Sequence, residues 1–277
     1  GSDELIALLA TAMATPRPGD ERPVVVVPEP TFVMYRMTSR AHGWDVVGVP
    51  LDDAWDLDAD AMAEAIERAK PKLVYYATPN NPTGNCFSRD RVCSLVEAFP
   101  DTLHVVDEAY GAYSGQSYAT FAEEHPHCAL MGTLSKVGFA AVRVGWVRID
   151  EALSPELEKV RQPFNLNTAS QEIATLALTD LAPILEEQIT TVVAERERLA
   201  AALDEHDALH CCPSDANFLL VRYAGDVPEL CSALLARDIA VRQFTHGDPR
   251  LRSCVRITVG TPEENQRLIS ALSDILG

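Results

Sequence analysis

The chain has 277 residues, 47% of them hydrophobic, and a formal net charge of −18 at pH 7. This length is sufficient for one large α/β domain and a smaller one, and the hydrophobic content is typical of a folded protein. The acidic balance argues against nucleic acid and anionic membranes as partners, because the overall field repels phosphates. No apolar run approaches the roughly 20 residues needed to span a bilayer. Because the chain as a whole is acidic, an anionic ligand would need a local cluster of arginines.

The seven cysteines are irregularly spaced, and their odd number does not suit a disulfide framework. This usage is typical of a reducing compartment and predicts a cytoplasmic protein. His206, His210, Cys211 and Cys212 lie close together in sequence, but their spacing matches no closed zinc pattern. We therefore expect no metal site.

In the first 150 residues, short apolar runs alternate with amphipathic helical patterns. We predict strands at 23–27, 44–49, 72–77, 103–106, 128–131 and 142–149, with helices at 32–42, 58–69 and 88–99. An alternation of this kind predicts an α/β fold with a mostly parallel sheet and helices on both faces. We expect residues 1–165 to form this large domain.

The pattern changes in the second half of the chain. Helical periodicity runs over 168–205 with an expected break at Pro183, and we assign 166–207 to connecting helices. Strands are predicted near Leu209 and at 217–222, 239–242 and 254–259, with helices at 227–237 and 262–276. We therefore expect a smaller α+β domain over 208–277.

The segment 132–145 carries one lysine, Lys136, among small, hydroxyl and apolar residues, with Arg143 further along. This setting predicts an amine in a partly dry pocket, where the neutral, nucleophilic form suits Schiff-base chemistry. Thr133, Ser135 and Arg143 could together surround an anion. The alternative is a buried loop whose lysine reaches solvent.

Polar side chains follow three neighbouring strands of the predicted sheet. Asn81 comes after the third strand, Asp107 and Tyr110 after the fourth, and Lys136 after the fifth, while Arg143 enters the sixth. Taken singly, each has an ordinary explanation as a turn residue, helix cap, core aromatic or surface ion pair. Because functional side chains of such sheets gather at the carboxyl ends of strands, we expect these to form one site.

Pyridoxal 5′-phosphate (PLP) needs a set of this kind. Lys136 would bind its aldehyde, Asp107 would face the pyridine nitrogen, and Asn81 and Tyr110 would donate to its phenolic oxygen. Phe32 could stack on the ring. The phosphate would be held by hydroxyl groups, a guanidinium and the start of a helix, which we assign to Ser2, Asp3, Thr133, Ser135 and Arg143. Of these residues, Lys136, Asp107 and Tyr110 are the predicted catalytic ones.

Three motifs resemble the class I/II, fold-type I aminotransferases: Asn80-Asn81-Pro82-Thr83-Gly84, Asp107-Glu108-Ala109-Tyr110 and Thr133-Leu134-Ser135-Lys136. The resemblance covers essentially the whole chain and implies the aspartate aminotransferase-like fold, PLP as cofactor and a homodimer. Within this family the chain is most similar to the histidinol-phosphate aminotransferases, through segments 1–4, 30–35, 79–85, 160–167 and 256–260. That similarity implies transfer of an amino group between histidinol phosphate and 2-oxoglutarate in histidine biosynthesis.

The resemblance also implies substrate contacts. Arg256 corresponds to the arginine that grips the substrate's anionic end, Arg242 would assist it, and Asn167 would lie near the substrate. Phe32 departs from the tyrosine common in the family, which keeps the stacking but removes a polar contact. We also expect the N-terminal arm of the family, which reaches the partner subunit, to be missing from this chain.

Two classes of alternative stay open at this point. One is another enzyme of the same fold, either an aromatic or broad-specificity aminotransferase or a threonine-phosphate decarboxylase. The other is a truncated, non-catalytic homologue that binds only PLP or a protein partner.

Overall fold

A computed structural model describes residues 1–277 and contains two β-sheets. The six strands of sheet A have the order β2-β1-β3-β4-β5-β6, and all are parallel except β6, which runs antiparallel to β5. The predicted mostly parallel sheet is thus confirmed. Its strands are β1 (Val24–Glu29), β2 (Asp45–Pro50), β3 (Leu73–Ala77), β4 (Leu103–Asp107), β5 (Cys128–Thr133) and β6 (Gly145–Arg148).

Ten α-helices accompany the sheets, and none has the length and apolar character needed to cross a bilayer. They are α1 (Ser2–Ala12), α2 (Met34–Ala41), α3 (Ala59–Ala69), α4 (Arg89–Ala98), α5 (Ala119–Glu124), α6 (Ser154–Val160), α7 (Thr168–Leu178), α8 (Ala182–Leu203), α9 (Val227–Leu235) and α10 (Pro262–Leu276). The patterns did not predict α5 or α6. Both are short, and they bury few residues, none in α5 and only Leu157 in α6.

Successive side chains of a strand point to opposite sides of a sheet. In sheet A both sides are apolar and are covered by helices. In β3, Leu73 and Tyr75 pack with α1, α2 and α6, whereas Val74 and Tyr76 pack with α3 and α4. All residues of β3 and β4 are buried. In the central strands, a polar side chain can therefore reach a ligand only if it lies near the end of the strand.

Sheet B has the order β7-β8-β10-β9 and is antiparallel throughout. One face packs on α8, α9 and α10 through leucines such as Leu199, Leu230 and Leu268. The prediction of a strand over 239–242 was largely wrong, since only its last residue belongs to β9. The strands are β7 (Leu209–Cys211), β8 (Phe218–Tyr223), β9 (Arg242–Gln243) and β10 (Cys254–Thr258).

Two predicted boundaries differ from the structure. Helix α7 ends at Leu178, and Pro183 lies in the first turn of α8, where its missing N–H leaves no hydrogen bond unmade. The strand predicted over 142–149 begins only at Gly145. Val142 belongs to a short 3₁₀ turn, and Arg143 has a φ of 58°, a left-handed conformation that no extended strand contains.

Arg250 joins the two sheets across a cleft. Its guanidinium lies 4.2 Å from the centre of the Trp55 ring and donates to the carbonyl oxygens of Leu51 at 3.1 Å and Asp52 at 2.9 Å. These contacts combine a cation–π interaction with charge-assisted hydrogen bonds. They hold the segment before β10 against the loop that follows β2, at one rim of the cleft.

His104 is a fully buried histidine in β4, on the sheet face shared with α4. Its ring stacks on Tyr76, its Nδ1 lies 3.1 Å from the Tyr76 hydroxyl, and its Nε2 lies 3.1 Å from the Phe99 carbonyl oxygen. A neutral ring that donates from Nε2 and accepts at Nδ1 satisfies both contacts. Burial, reinforced by nearby His127, lowers the pKa of His104 to about 4.

We expect His104 to make the protein less stable in mild acid. As the pH falls from about 6.5 towards about 4, the unfolded histidine takes up a proton that the folded one does not, so stability is lost across this window. At pH 5 the cost relative to pH 7 is about 2 kcal/mol. His104→Gln, which can keep both hydrogen bonds, should remove this component in urea unfolding at the two pH values. The exposed control His210→Gln should retain it, and an unchanged pH dependence in His104→Gln would contradict the assignment.

Candidate active site

A pocket with an empty volume of about 550 Å³ lies at the carboxyl ends of β3, β4 and β5. Its place is where ligands bind to parallel sheets. It brings together nine of the ten predicted cofactor-binding residues: Ser2, Asp3, Phe32, Asn81, Asp107, Tyr110, Ser135, Lys136 and Arg143.

Thr133, the tenth, does not line this pocket. Its side chain is buried, its Oγ1 donates to the Val144 carbonyl oxygen at 2.9 Å, and it accepts from the Ser135 N–H at 3.1 Å. It therefore caps the short turn that presents Ser135 and Lys136. The predicted anion contact of Thr133 is not supported, because its hydroxyl is already used within the loop.

Lys136 ends this turn with a fixed backbone and a half-buried side chain. Its carbonyl oxygen accepts a hydrogen bond from the Tyr113 hydroxyl at 2.7 Å. Its Nζ lies 5.4 Å from the centre of the Tyr110 ring, within cation–π range. The amine therefore stands inside the pocket beside one aromatic face.

Asp107 is the last residue of β4, and only 2% of it is exposed. Its Oδ1 accepts from the Ala109 N–H at 2.9 Å and its Oδ2 accepts from the Tyr35 hydroxyl at 2.6 Å. Burial raises the pKa of Asp107 to about 6, and the bonds from Tyr35 and Ala109 and the charge of Lys136 oppose that rise. At pH 7 the carboxyl is thus mainly ionised, and the amine and the acid share one pocket.

Tyr35 is a pocket residue to which the sequence analysis gave no role. It lies three residues after Phe32, within the helix predicted over 32–42, although α2 begins only at Met34. Its ring stacks on Tyr75, with centroids 4.5 Å apart, and meets Phe32 edge-on at 5.6 Å. The three-residue spacing from Phe32 was the available signal, but the contact with Asp107, 72 residues away, can be seen only in the fold.

The start of α1 forms the end of the pocket that is suited to bind an anion. The N-cap of this helix is Gly1, and no side chain bonds the first N–H groups. Such unpaired N–H groups and the positive end of the helix dipole favour an anion. Arg143 is nearby, donating from Nη2 to Asp3 Oδ2 at 3.1 Å. Gly145 permits this close packing, because a Cβ there would lie 2.8 Å from the Ser2 nitrogen.

A wider cleft, with an empty volume of about 2230 Å³, lies between the two sheets and shares Phe32 and Asn81 with the pocket. Arg256 in β10 and Arg242 in β9 both line it and lie directly opposite one another in the strand pair. Arg256 Nη1 donates to Asn81 Oδ1 at 2.6 Å, and its guanidinium lies 5.0 Å from the Phe218 ring centre.

Arg256 is electrostatically prepared for an anion. Its buried Nε has no hydrogen-bond partner within the protein. Burial lowers the pKa of Arg256, the charge of Arg242 lowers it further, and Tyr110 opposes both. A bound carboxylate or phosphate would satisfy the free N–H and relieve the repulsion between the two cations. The two predicted substrate arginines thus form one cationic patch.

Asn167, the third predicted substrate contact, lies in neither cavity. It is exposed and is the N-cap of α7, where its Oδ1 accepts from the Ser170 N–H at 2.9 Å. Asparagine is among the best N-cap residues, and this local bond explains its presence. Its place outside both cavities gives no support to the predicted substrate contact of Asn167, which stays a prediction.

The segment 206–212 shows no arrangement suited to a metal, and no group of three or more candidate ligands occurs elsewhere in the structure. His210 and Cys211 are successive residues of β7, so their side chains point to opposite faces of the sheet. His210 is exposed, whereas Cys211 and Cys212 are buried.

The pocket's donor set fits a flat, anionic ligand with an electrophilic carbon. Lys136 supplies an amine, Phe32 an aromatic face, and Asp107 a buried carboxylate with lone pairs left to accept a bond. Uncapped helix N–H groups and Arg143 supply the anion site. PLP has each of the matching features, so the residues present fit this cofactor.

Comparison with known proteins agrees with this geometry. Histidinol-phosphate aminotransferase of Chromobacterium violaceum is 42% identical over 272 residues, which cover 98% of this chain and 74% of that protein. Histidinol-phosphate aminotransferase of Aquifex aeolicus is 39% identical, over 99% of this chain and 75% of that protein. The crystal structure of histidinol-phosphate aminotransferase from Sinorhizobium meliloti in complex with pyridoxal 5′-phosphate superposes with a TM-score of 0.88 at 25% identity, covering 100% of this chain and 75% of that one.

The family model for aminotransferase class I and II matches residues 1–272, nearly the whole chain. The match therefore includes both sheets, the Lys136 pocket and the cleft with Arg242 and Arg256. On this evidence the chain belongs to the class I and II aminotransferases.

Proposed function

We propose that the chain is a PLP-dependent aminotransferase that uses histidinol phosphate as amino donor and 2-oxoglutarate as acceptor. The proposed cofactor is supported above all by the presence of Lys136 and Asp107 in one pocket, with uncapped N–H groups at the start of α1. Support for the substrate comes from curated relatives of 38–42% identity that bear the name histidinol-phosphate aminotransferase.

PLP supplies an aldehyde that condenses with primary amines and a pyridine ring that withdraws electrons from the carbon bearing the nitrogen. Lys136 is the residue that would hold it covalently through Nζ. Its Nζ would also accept a proton from the carbon that bears the substrate's amino group and return it during the transfer. Tyr110, whose ring lies beside this Nζ, and Asn81 would donate hydrogen bonds to the cofactor's phenolic oxygen.

Asp107 would keep the pyridine nitrogen protonated. Its carboxylate is buried, so its interaction with a cation is screened little by water. Although burial raises its pKa to about 6, a positive ring nitrogen alongside would favour the ionised form and lower that value. Phe32 would cover the ring face, while Ser135, Arg143 and the first N–H groups of α1 would hold the phosphate.

Arg256 and Arg242 would bind the anionic end of each substrate at the mouth of the pocket. Asn81 touches Arg256 and also lines the cofactor pocket, so it connects the two sites. The chain carries a net charge of −18, and these local cations overcome a field that would otherwise repel such substrates. Both arginines lie in sheet B, whereas Lys136 and Asp107 lie at the edge of sheet A.

The division into a large domain 1–165, connecting helices 166–207 and a small domain 208–277 is part of the proposal. A homodimer is also part of the proposal. It is supported by exposed apolar side chains on α7, on α8 and just before α7. Phe164 is 96% exposed, and Ile173, Leu176 and Ile184 are each more than 40% exposed. Exposed apolar residues that gather on one part of a surface are typical of an interface. The seven free cysteines support a cytoplasmic location.

Replacing Lys136 with alanine should remove both cofactor attachment and turnover. Without Nζ, no side chain in the pocket supplies a primary amine, and the proton transfer loses its base, so kcat should fall at least about a hundredfold. The measurements are the visible absorbance that PLP gains on condensing with lysine, and the rate of amino transfer. Lys159→Ala, which removes an exposed lysine, should change neither. Retention of both signals in Lys136→Ala would rule out the proposed mechanism.

Arg256→Lys should weaken binding of the acceptor without loss of cofactor. Lysine keeps the charge but lacks the planar fork that binds a carboxylate through two hydrogen bonds. The KM for 2-oxoglutarate should therefore rise by roughly tenfold or more. Arg252→Lys is the matched control, because Arg252 is exposed four residues earlier and lines neither cavity. An equal effect in both variants would mean that Arg256 is not a substrate residue.

A panel of amines tests the substrate itself. With 2-oxoglutarate as acceptor, kcat/KM should be highest for histidinol phosphate, compared with phenylalanine, tyrosine and threonine phosphate. Glutamate formation measures transfer, and release of carbon dioxide measures decarboxylation. A higher kcat/KM for an aromatic amino acid, or release of carbon dioxide from threonine phosphate, would show that histidinol phosphate is not the preferred substrate. The family to which the chain belongs would be unaffected.

A further inference from the structure

We propose that Tyr35 is a positioning residue whose hydroxyl fixes the orientation of the Asp107 carboxylate towards the cofactor's ring nitrogen. The inference rests on the proposed function, in which Asp107 pairs with that nitrogen. It concerns a residue of α2, seventy-two positions away in the sequence from the acid that it contacts.

The two hydrogen bonds that hold Asp107 have different origins. The bond from the Ala109 N–H to Oδ1 is local, two residues along the chain, and any aspartate at a strand end can form one. The bond from Tyr35 to Oδ2, at 2.6 Å, comes from a separate element. With only the local bond, the carboxylate could rotate and exchange its oxygens. With both oxygens engaged, its plane is fixed, and each oxygen keeps a lone pair for the pocket.

The Tyr35 ring is itself rigidly held. It is 1% exposed, stacks nearly parallel on Tyr75 with an interplanar angle of 7°, and meets Phe32 at 85°. Phe32 is the residue proposed to cover the cofactor ring. One aromatic cluster therefore supports both the ring face and, through the Tyr35 hydroxyl, the acid at the ring nitrogen.

A tyrosine suits this task because it donates without carrying charge. Burial and the neighbouring Asp107 raise the pKa of Tyr35 well above its usual value, so the hydroxyl stays protonated. An arginine or lysine in its place would form an ion pair with Asp107 and compete with the pyridine nitrogen for the same carboxylate. The neutral donor orients the acid and leaves its charge for the ligand.

Tyr75 provides a matched control within the same aromatic stack. Its ring is fully buried on β3, but its hydroxyl has no hydrogen-bond partner. Tyr75→Phe and Tyr35→Phe thus each delete one buried hydroxyl from neighbouring, stacked rings. Only the second deletion removes a contact with Asp107.

The test begins on protein without cofactor, labelled with carbon-13 at the aspartate carboxyls and titrated by NMR. Asp107→Asn assigns the Asp107 signal. In the wild type its midpoint should lie near pH 6, and Tyr35→Phe should move it upward, because the lost bond favoured the ionised form. Tyr75→Phe should leave the midpoint unchanged. An unmoved midpoint in Tyr35→Phe, or equal movement in both variants, would overturn the inference.

The second readout uses the loaded enzyme. Tyr35→Phe should weaken PLP binding and lower kcat by about tenfold each, with little change in the KM for 2-oxoglutarate. If Tyr35 were purely structural, Tyr35→Phe would instead lower the melting temperature and leave the Asp107 titration unchanged. Because the titration needs neither PLP nor turnover, failure of the chain to bind PLP would refute the proposed function while still leaving the Tyr35 contact tested on its own.

Discussion

The site depends on a carboxylate kept ionised in a nearly dry place. Burying such a group without compensation costs several kcal/mol, and the cost usually drives it to the neutral form. At Asp107 the cost is offset by two hydrogen bonds and by the charge of Lys136 in the same pocket. The part of this cost that is not offset raises the pKa of Asp107 to about 6. A cationic ring nitrogen would offset that part, so the protein without cofactor already favours such a ligand.

The fold explains why these groups meet. β3, β4 and β5 are parallel neighbours, so the residues that follow them emerge at one edge of sheet A. The start of α1 is brought to the same edge by packing against β6 at Gly145, which places its uncapped N–H groups at the pocket. Sheet B faces this edge across the cleft and presents Arg242 and Arg256. In the proposed function, cofactor chemistry and substrate charge are thus assigned to different sheets, and Asn81 lines both cavities.

Much of this arrangement could be read from the sequence, because strand ends after fully apolar runs are strong signals. Asp107 and Lys136 were found in that way. Thr133 and Asn167 were assigned ligand roles that the structure does not support, because residues good at binding ligands are equally good at capping turns and helices. Tyr35 was missed since its partner is distant in sequence, and only the fold reveals the contact. The helices α5 and α6 were missed because they bury too little to leave a periodic pattern.

The identity of the amine that binds the cofactor can be tested directly, because the chain has only four lysines: Lys70, Lys72, Lys136 and Lys159. Incubation with PLP, reduction with borohydride and peptide mass spectrometry would locate any covalent attachment. The proposed role of Lys136 predicts a single modified peptide, with the adduct on that residue. An adduct on another lysine, or none at saturating PLP, would contradict it.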